Sequence, residues 1–221
     1  MTRRAFDNYS TDPGLARWAI RNAMRLASIP RPSEATILEP CCGDKAPFAT
    51  AGRELGLAGC GYDIREVAPP VDSGVLYAST SVERFRDELW SGQPFDIIAT
   101  NPPFNIGESV IRESLEMLAP HGCAGFLTKM AFLSTQKRSE LFVVRPPCEV
   151  WILRARPSFT GDGGTDVAQE YAFTFWYGSG TDAQLQAFGT RKTHLYWLDN
   201  GRLMTSGSRK RVRVQKGGEK E

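Results

Sequence analysis

The chain has 221 residues, 41% of them hydrophobic and 24% charged, enough for one domain with a sizeable core and little more. Its apolar runs are too short to cross a bilayer, and Met1 to Arg4 leads into Phe6-Asp7-Asn8-Tyr9, without the apolar stretch of a secretion signal. Five cysteines, two of them the neighbours Cys41 and Cys42, make a poor disulfide framework and suit a reducing cytoplasm. With two histidines and no zinc-type spacing, no metal is expected.

The net charge of +2 conceals an asymmetry. Residues 1–121 carry 12 Lys/Arg against 16 Asp/Glu, a balance of −4, and residues 122–221 carry 15 against 9, a balance of +6. The basic half could follow a phosphate backbone or simply be a solvated surface.

Asp12-Pro13 is a helix cap and first-turn signal. Leu15, Trp18, Ala19, Ala23, Leu26 and Ala27 then recur at helical spacing, and the helix should end near Ile29, ahead of Pro30 and Pro32. Four strands are expected next, at Thr36–Glu39, Ala58–Asp63, Val75–Ala78 and Phe95–Thr100. Helices are expected around Phe48–Leu55, Val82–Leu89 and Glu108–Leu118. A strand at Ala124–Leu127 and a helix from Ser134 to Val143 follow. Val150–Leu153 and Tyr171–Tyr177 are two further strands, joined by the Gly/Asp/Thr-rich loop Ser158–Gln169, too short for a crossover helix. They should therefore form an antiparallel hairpin at one end of the sheet. The whole is an α/β, Rossmann-like sheet, mostly parallel. A single domain over residues 1–205 and a basic, disordered tail over 206–221 are expected.

Leu38-Glu39-Pro40-Cys41-Cys42-Gly43-Asp44-Lys45 closes the first strand and opens a helix. In open α/β sheets ligands bind beyond the carboxyl ends of the strands, where strand order reverses. Gly43 would let backbone approach a ligand, and Glu39 could hold a ligand ammonium. Equally, Glu39 could cap the helix and Gly43 could only make the turn. Asp63, at the end of the second strand, could accept both hydroxyls of a ribose, as in adenosine-containing cofactors.

Thr100-Asn101-Pro102-Pro103-Phe104 is the strongest signal. The two prolines stiffen the backbone and remove competing N–H groups. The Asn101 side-chain oxygen and the Pro102 carbonyl could hold the two hydrogens of an exocyclic amine, with its lone pair turned toward a methyl donor. Phe104 could stack on the base. No general base is needed before transfer, because orientation and electrostatics sharpen the nitrogen. The competing structural account is a rigid turn that closes a strand.

In this order of motifs the chain resembles the S-adenosylmethionine-dependent amino-methyltransferases, in particular adenine-N6 DNA methyltransferases of phage and bacterial type. The resemblance covers roughly residues 6 to 180 and implies a seven-stranded methyltransferase sheet with one antiparallel strand at the C-terminal end. Tyr9-Ser10-Thr11-Asp12-Pro13 is similar to the family's Tyr-x-Thr-Pro segment with one residue inserted. The resemblance implies Tyr9 and Thr11 near the methionine part of S-adenosylmethionine. It implies Glu39, Pro40, Cys41 and Gly43 at the cofactor turn, Asp63 and Ile64 at the ribose end, and Asn101 to Phe104 on the target amine. Phe159, in Arg156-Pro157-Ser158-Phe159-Thr160-Gly161, stands where the family places an aromatic against a flipped base; it could instead close the core. Arg154 and Arg156 are the phosphate candidates beside it. The family pattern has a second glycine where Lys45 stands and an Asp where Ser79-Thr80-Ser81 stands, so a hydroxyl or backbone contact to the cofactor adenine is expected there.

Lys129, after the fifth strand, could contact a phosphate but reads first as a surface lysine reaching outward, and Lys137 and Arg138 as a solvated helix face. Trp151, Phe173, Phe175 and Trp176 alternate on strands and read as core. The favoured substrate is adenine in DNA. RNA adenine, cytosine N4 or a glutamine amide would use the same chemistry, and a non-catalytic nucleic-acid-binding module would share the fold. With too few residues for a separate target-recognition domain, a short or loose recognition sequence is expected.

Overall fold

A computed structural model of the protein describes residues 10–66, 74–155, 157, 169–180, 192–200 and 203. Tyr9, Arg156, Phe159 and the tail from residue 206 lie outside these residues. Among the described residues eight strands form one sheet: β1 (Thr36–Pro40), β2 (Ala58–Asp63), β3 (Leu76–Ser79), β4 (Phe95–Thr100), β5 (Leu118–Lys129), β6 (Glu149–Leu153), β7 (Tyr171–Tyr177) and β8 (His194–Leu198). The order is β3-β2-β1-β4-β5-β7-β6-β8. Every pairing is parallel except those of β7, which runs antiparallel to both β5 and β6.

The helices are α1 (Pro13–Leu26), α2 (Pro47–Glu54), α3 (Val82–Arg84), α4 (Gly107–Glu116) and α5 (Ser139–Val144). A five-residue π-turn, Phe85–Leu89, continues α3. α1 starts where the sequence indicates, because the Asp12 carboxylate accepts the Gly14 and Leu15 N–H groups. The helix expected over Ser134–Val143 begins instead as a 3-10 turn, Gln136–Arg138, and becomes α-helical only at Ser139. β5 is longer than the expected Ala124–Leu127. Its first residues pair with Phe95, and a register shift then brings Cys123 opposite Ile97. The hairpin of β6 and β7 is present but does not end the sheet: β8, which the sequence reading did not anticipate, pairs outside β6.

Strand alternation divides the core into two layers. On one face Ile37, Ile97, Ala99, Leu127, Phe173 and Phe175 pack under α1 and α2 with Leu15, Ile20 and Phe48. On the other Leu38, Ile98, Phe126 and Trp176 pack with Ile111 and Leu115 of α4. Phe173, Phe175 and Trp176 are thus core, as their alternation indicates. Trp151 is half-buried, edge-on to Trp18 and stacked on Tyr196 of β8. The buried Glu149 carboxylate ties α1 to β6: it accepts from Asn22, Arg25 and the Trp151 indole. A buried charge satisfied on this scale costs several kcal/mol when its partners are removed, so the network also fixes how α1 lies across the sheet.

Candidate functional site

The strand order reverses between β1 and β4, neighbours in the sheet whose carboxyl ends open side by side. The turn after β1 and the tetrapeptide after β4 therefore meet at the place where such sheets bind ligands. The buried Thr100 hydroxyl donates to the Pro40 carbonyl and bolts the two segments together.

The turn after β1 is built from unusual backbone. Gly43 has φ +63°, and Cys41 (+52°) and Ala46 (+39°) adopt left-handed conformations that L side chains resist. Packing compensates that cost: the Cys42 N–H binds the Tyr62 carbonyl, and the Ala46 N–H binds that of Cys42. Gly61 lies beneath, where an added Cβ would meet the Cys42 side chain at 3.0 Å. Burial, helped by the charges of Asp63 and Glu39, pushes the Cys41 thiol up to about 12, which favours the protonated form.

Glu39 settles one of the open alternatives in part. Its Oε2 accepts the Phe48 (2.9 Å) and Ala49 (2.8 Å) N–H groups and caps α2. Burial raises its pKa well above the usual carboxylate range; the two N–H groups oppose this, and the nearby Asp63 charge adds to it. Both bonds use one oxygen, so the capping role leaves the second oxygen of the carboxyl for other partners.

Asp63 is buried and engaged on both oxygens. Oδ1 takes the Arg65 N–H and Nε, while Oδ2 takes the Gly43 N–H (2.9 Å) and Arg65 Nη2. Burial pushes its pKa up most strongly. The Arg65 guanidinium, with the Arg65 and Gly43 N–H groups, outweighs burial and holds the carboxyl below its ordinary value. Four donors fill the acceptor capacity of a carboxylate. A ribose diol can therefore reach Asp63 only by taking the place of Arg65 donors. Sequence reasoning missed Arg65; the signal available was a cation two residues after a ribose-type acid. The end of β3 supports this turn. Tyr77 and Ser79 hydroxyls donate to the Arg65 carbonyl (2.7 and 3.1 Å), and the Thr80 N–H binds the Asp63 carbonyl. Ile64, beside them, is 63% exposed, an apolar surface that a flat heterocycle could cover.

The start of α1 contributes a third wall. Ser10, Thr11, Lys45, Pro47 and Thr50 line a cavity of about 140 Å³. Thr11 is buried, and its hydroxyl has no hydrogen-bond partner among the described residues. A buried hydroxyl left unsatisfied is unfavourable by about 1–3 kcal/mol, and a polar ligand group would relieve it.

Beyond β4, Pro102 is buried, and Asn101, Pro103 and Phe104 are half-buried. The Pro103 carbonyl accepts the Ile106 N–H (3.2 Å) and turns the chain into α4. Phe104 rests against the core, with the Tyr171 ring 6.2 Å away. The Lys129 ammonium stands 3.6 Å over its ring centroid. Lys129 is thus not the outward-reaching lysine expected from sequence. Arg154 does not join this cluster: it is exposed, faces Asp199 beside β8 at 3.9 Å, and stands three strands from β4 in the sheet. Among the described residues no His/Cys/Asp/Glu group could hold a metal, and no helix is long and apolar enough to cross a membrane.

No protein-family model and no curated protein matches the chain. Solved structures do. A protein assigned as a class I S-adenosylmethionine-dependent methyltransferase from Listeria monocytogenes superposes with a TM-score of 0.62 at 13% identity, over 86% of this chain and 66% of its own. The modification subunit of an assigned type I restriction enzyme from Vibrio vulnificus gives 0.61 at 14%, over 91% and 50%. A protein assigned as an RNA methyltransferase from Pyrococcus horikoshii gives 0.58 at 12%, over 80% and 91%. The chain therefore spans about two thirds of the first and half of the second. At these identities the likeness establishes the fold, the Rossmann-like sheet of class I methyltransferases.

Proposed function

We propose that this chain transfers a methyl group from S-adenosylmethionine to the exocyclic N6 amine of adenine in DNA. The observation that carries the reading is the meeting of Asn101-Pro102-Pro103-Phe104 with the Pro40–Gly43 turn at the sheet's reversal point, held by the Thr100 to Pro40 hydrogen bond.

The residues present fit the cofactor. The unsatisfied Thr11 hydroxyl and Lys45 in the cavity beside it suit its methionine carboxylate, with Tyr9 from the preceding segment. Gly43, Pro40 and Cys41 offer close backbone approach. Asp63 suits the ribose once Arg65 releases it, and Ile64 the adenine face. When bound, the cofactor supplies an electrophilic methyl group on a good leaving group. The chain's own residues do the rest. The Asn101 side-chain oxygen and the Pro102 carbonyl accept the two amine hydrogens and direct the nitrogen lone pair away from the ring. That removes the nitrogen from conjugation, and in a water-poor site it is a large electrostatic contribution. Phe104 holds the base plane, and Pro103 keeps the acceptors from drifting. Phe159 is proposed as the second face, with Arg154 and Arg156 on phosphates as the strand is drawn in. The likeness to a restriction-enzyme modification subunit and the basic second half of the chain favour DNA.

The test is incubation with methyl-labelled S-adenosylmethionine and unmethylated DNA, with RNA and cell protein in parallel. Label in N6-methyldeoxyadenosine that disappears with Asn101→Ala is the expected result. Label only in RNA or protein would move the substrate, and cofactor binding without label anywhere would leave a binding module on the same fold.

A further inference from the structure

Phe104 raises a problem for any base that is to stack on it. The Lys129 ammonium lies 3.6 Å from the ring centroid and over its face, which is the spacing at which a stacked heterocycle would place its own ring. The two cannot share that face. The rest of Phe104 is turned to the core beside Tyr171, so little ring surface remains for a base.

The geometry points to Lys129 as a further positioning residue of the base site: it fills the stacking face of Phe104 until a target base displaces it. This inference rests on the proposed nucleic-acid reading and deepens it. Three features of the chain suit such exchange. Lys129 is the last residue of β5, opposite Tyr171 of β7, so its backbone is anchored while its ammonium sits at the end of four rotatable methylenes. It lies on the sheet face that also carries Leu127 and Tyr171, the side of α1 and α2, where the cofactor turn opens. Finally, a cation over an aromatic ring contributes only a modest free energy, so the ring contact itself does not bar replacement by a stacking base, yet it keeps the ring covered while the site is empty. Arginine would keep the contact with the ring; methionine would keep the stem and lose the cation.

The experiment measures full-length protein, with S-adenosylhomocysteine present, binding a mixed-sequence single-stranded oligonucleotide. The strand carries either 2-aminopurine or an abasic site at one central position. The ratio of the two affinities isolates base stacking, because the phosphate contribution cancels. Lys129→Met should raise that ratio roughly threefold to tenfold and deepen the quenching of 2-aminopurine, and Lys129→Arg should stay near the wild-type ratio. Lys129→Gln repeats the measurement if Met at the strand end impairs folding. An unchanged or lower ratio in Met and Gln variants that still bind the strand overturns the inference alone. Failure of every protein, wild type included, to bind either strand overturns the nucleic-acid reading and this inference with it.

Discussion

Replacing Asn101 with Ala removes one of the two acceptors proposed for the amine but leaves the strand end held by Thr100 and the two prolines. Methyl transfer should fall by about a hundredfold or more at unchanged thermal stability, measured by label incorporation and melting. Equal losses in stability and activity would reduce Asn101 to a turn residue. Arg65 bears on the cofactor side. Its guanidinium, together with the Arg65 and Gly43 N–H groups, outweighs burial and keeps the Asp63 carboxyl below its ordinary value. In Arg65→Gln burial is less opposed, so Asp63 takes up a proton at a higher pH. Calorimetric binding of S-adenosylmethionine should then weaken at a higher pH than in the wild type as the solution is acidified. Acid limbs that coincide would mean that Asp63 does not meet the ribose. Asn101, Asp63 and Gly43 were legible as a pattern of residue types at strand ends. Arg65 stood within two residues of Asp63, but spacing alone does not say that its guanidinium turns onto that carboxylate, and the cation on Phe104 was not legible at all, because a partner across the fold is set by packing that linear spacing does not encode.

Elements carry these residues to one place. β1 and β4 are separated in the chain by α2, β2, β3 and α3, yet are neighbours in the sheet, and the Thr100 hydroxyl spans their ends. Thr100→Val keeps the shape and removes the hydroxyl, leaving the Pro40 carbonyl without its donor. Stability should drop by about 1–2 kcal/mol, and cofactor affinity should fall with it because the Cys41–Gly43 turn loses its tether. Denaturant unfolding and calorimetry read the two effects. A stability loss with unchanged cofactor affinity would count against the turn as part of the cofactor site. Most elements were legible from alternation, helical spacing and caps such as Asp12. β8 was not: His194, Leu195 and Trp197 are exposed and only Leu198 is buried, so its sequence lacks the apolar alternation of a half-buried strand. The helix expected over Ser134–Val143 forms only from Ser139; Gln136–Arg138 takes a 3-10 turn, and the Arg138 guanidinium lies over the Phe132 ring, a contact that the sequence does not display.

At the scale of the whole molecule the site and the stability of the fold share a buried acid. The Glu39 carboxyl is raised well above its ordinary value, chiefly by burial, so the folded state holds that proton more firmly than the unfolded chain. The stability this contributes is complete below the unfolded carboxyl's range and is lost as pH rises toward the folded value. Glu39→Gln keeps an oxygen for the Phe48 and Ala49 N–H groups without the ionisation. Its melting temperature should change less than the wild type's between about pH 5 and about pH 8. Parallel profiles for the two proteins would show that Glu39 ionises in the fold without penalty. By itself the sequence determined the α/β class, the parallel order of strand and helix, and the two strand-end motifs, because these follow from local periodicity and from residue types whose chemistry is short-range. Only the tertiary structure decided that Glu39 caps α2, that Arg65 occupies Asp63, that Lys129 covers Phe104 and that β8 closes the sheet. Each is a contact between elements distant in the chain or between side chains free to take several partners, and the choice among them is made by burial and packing of the assembled sheet.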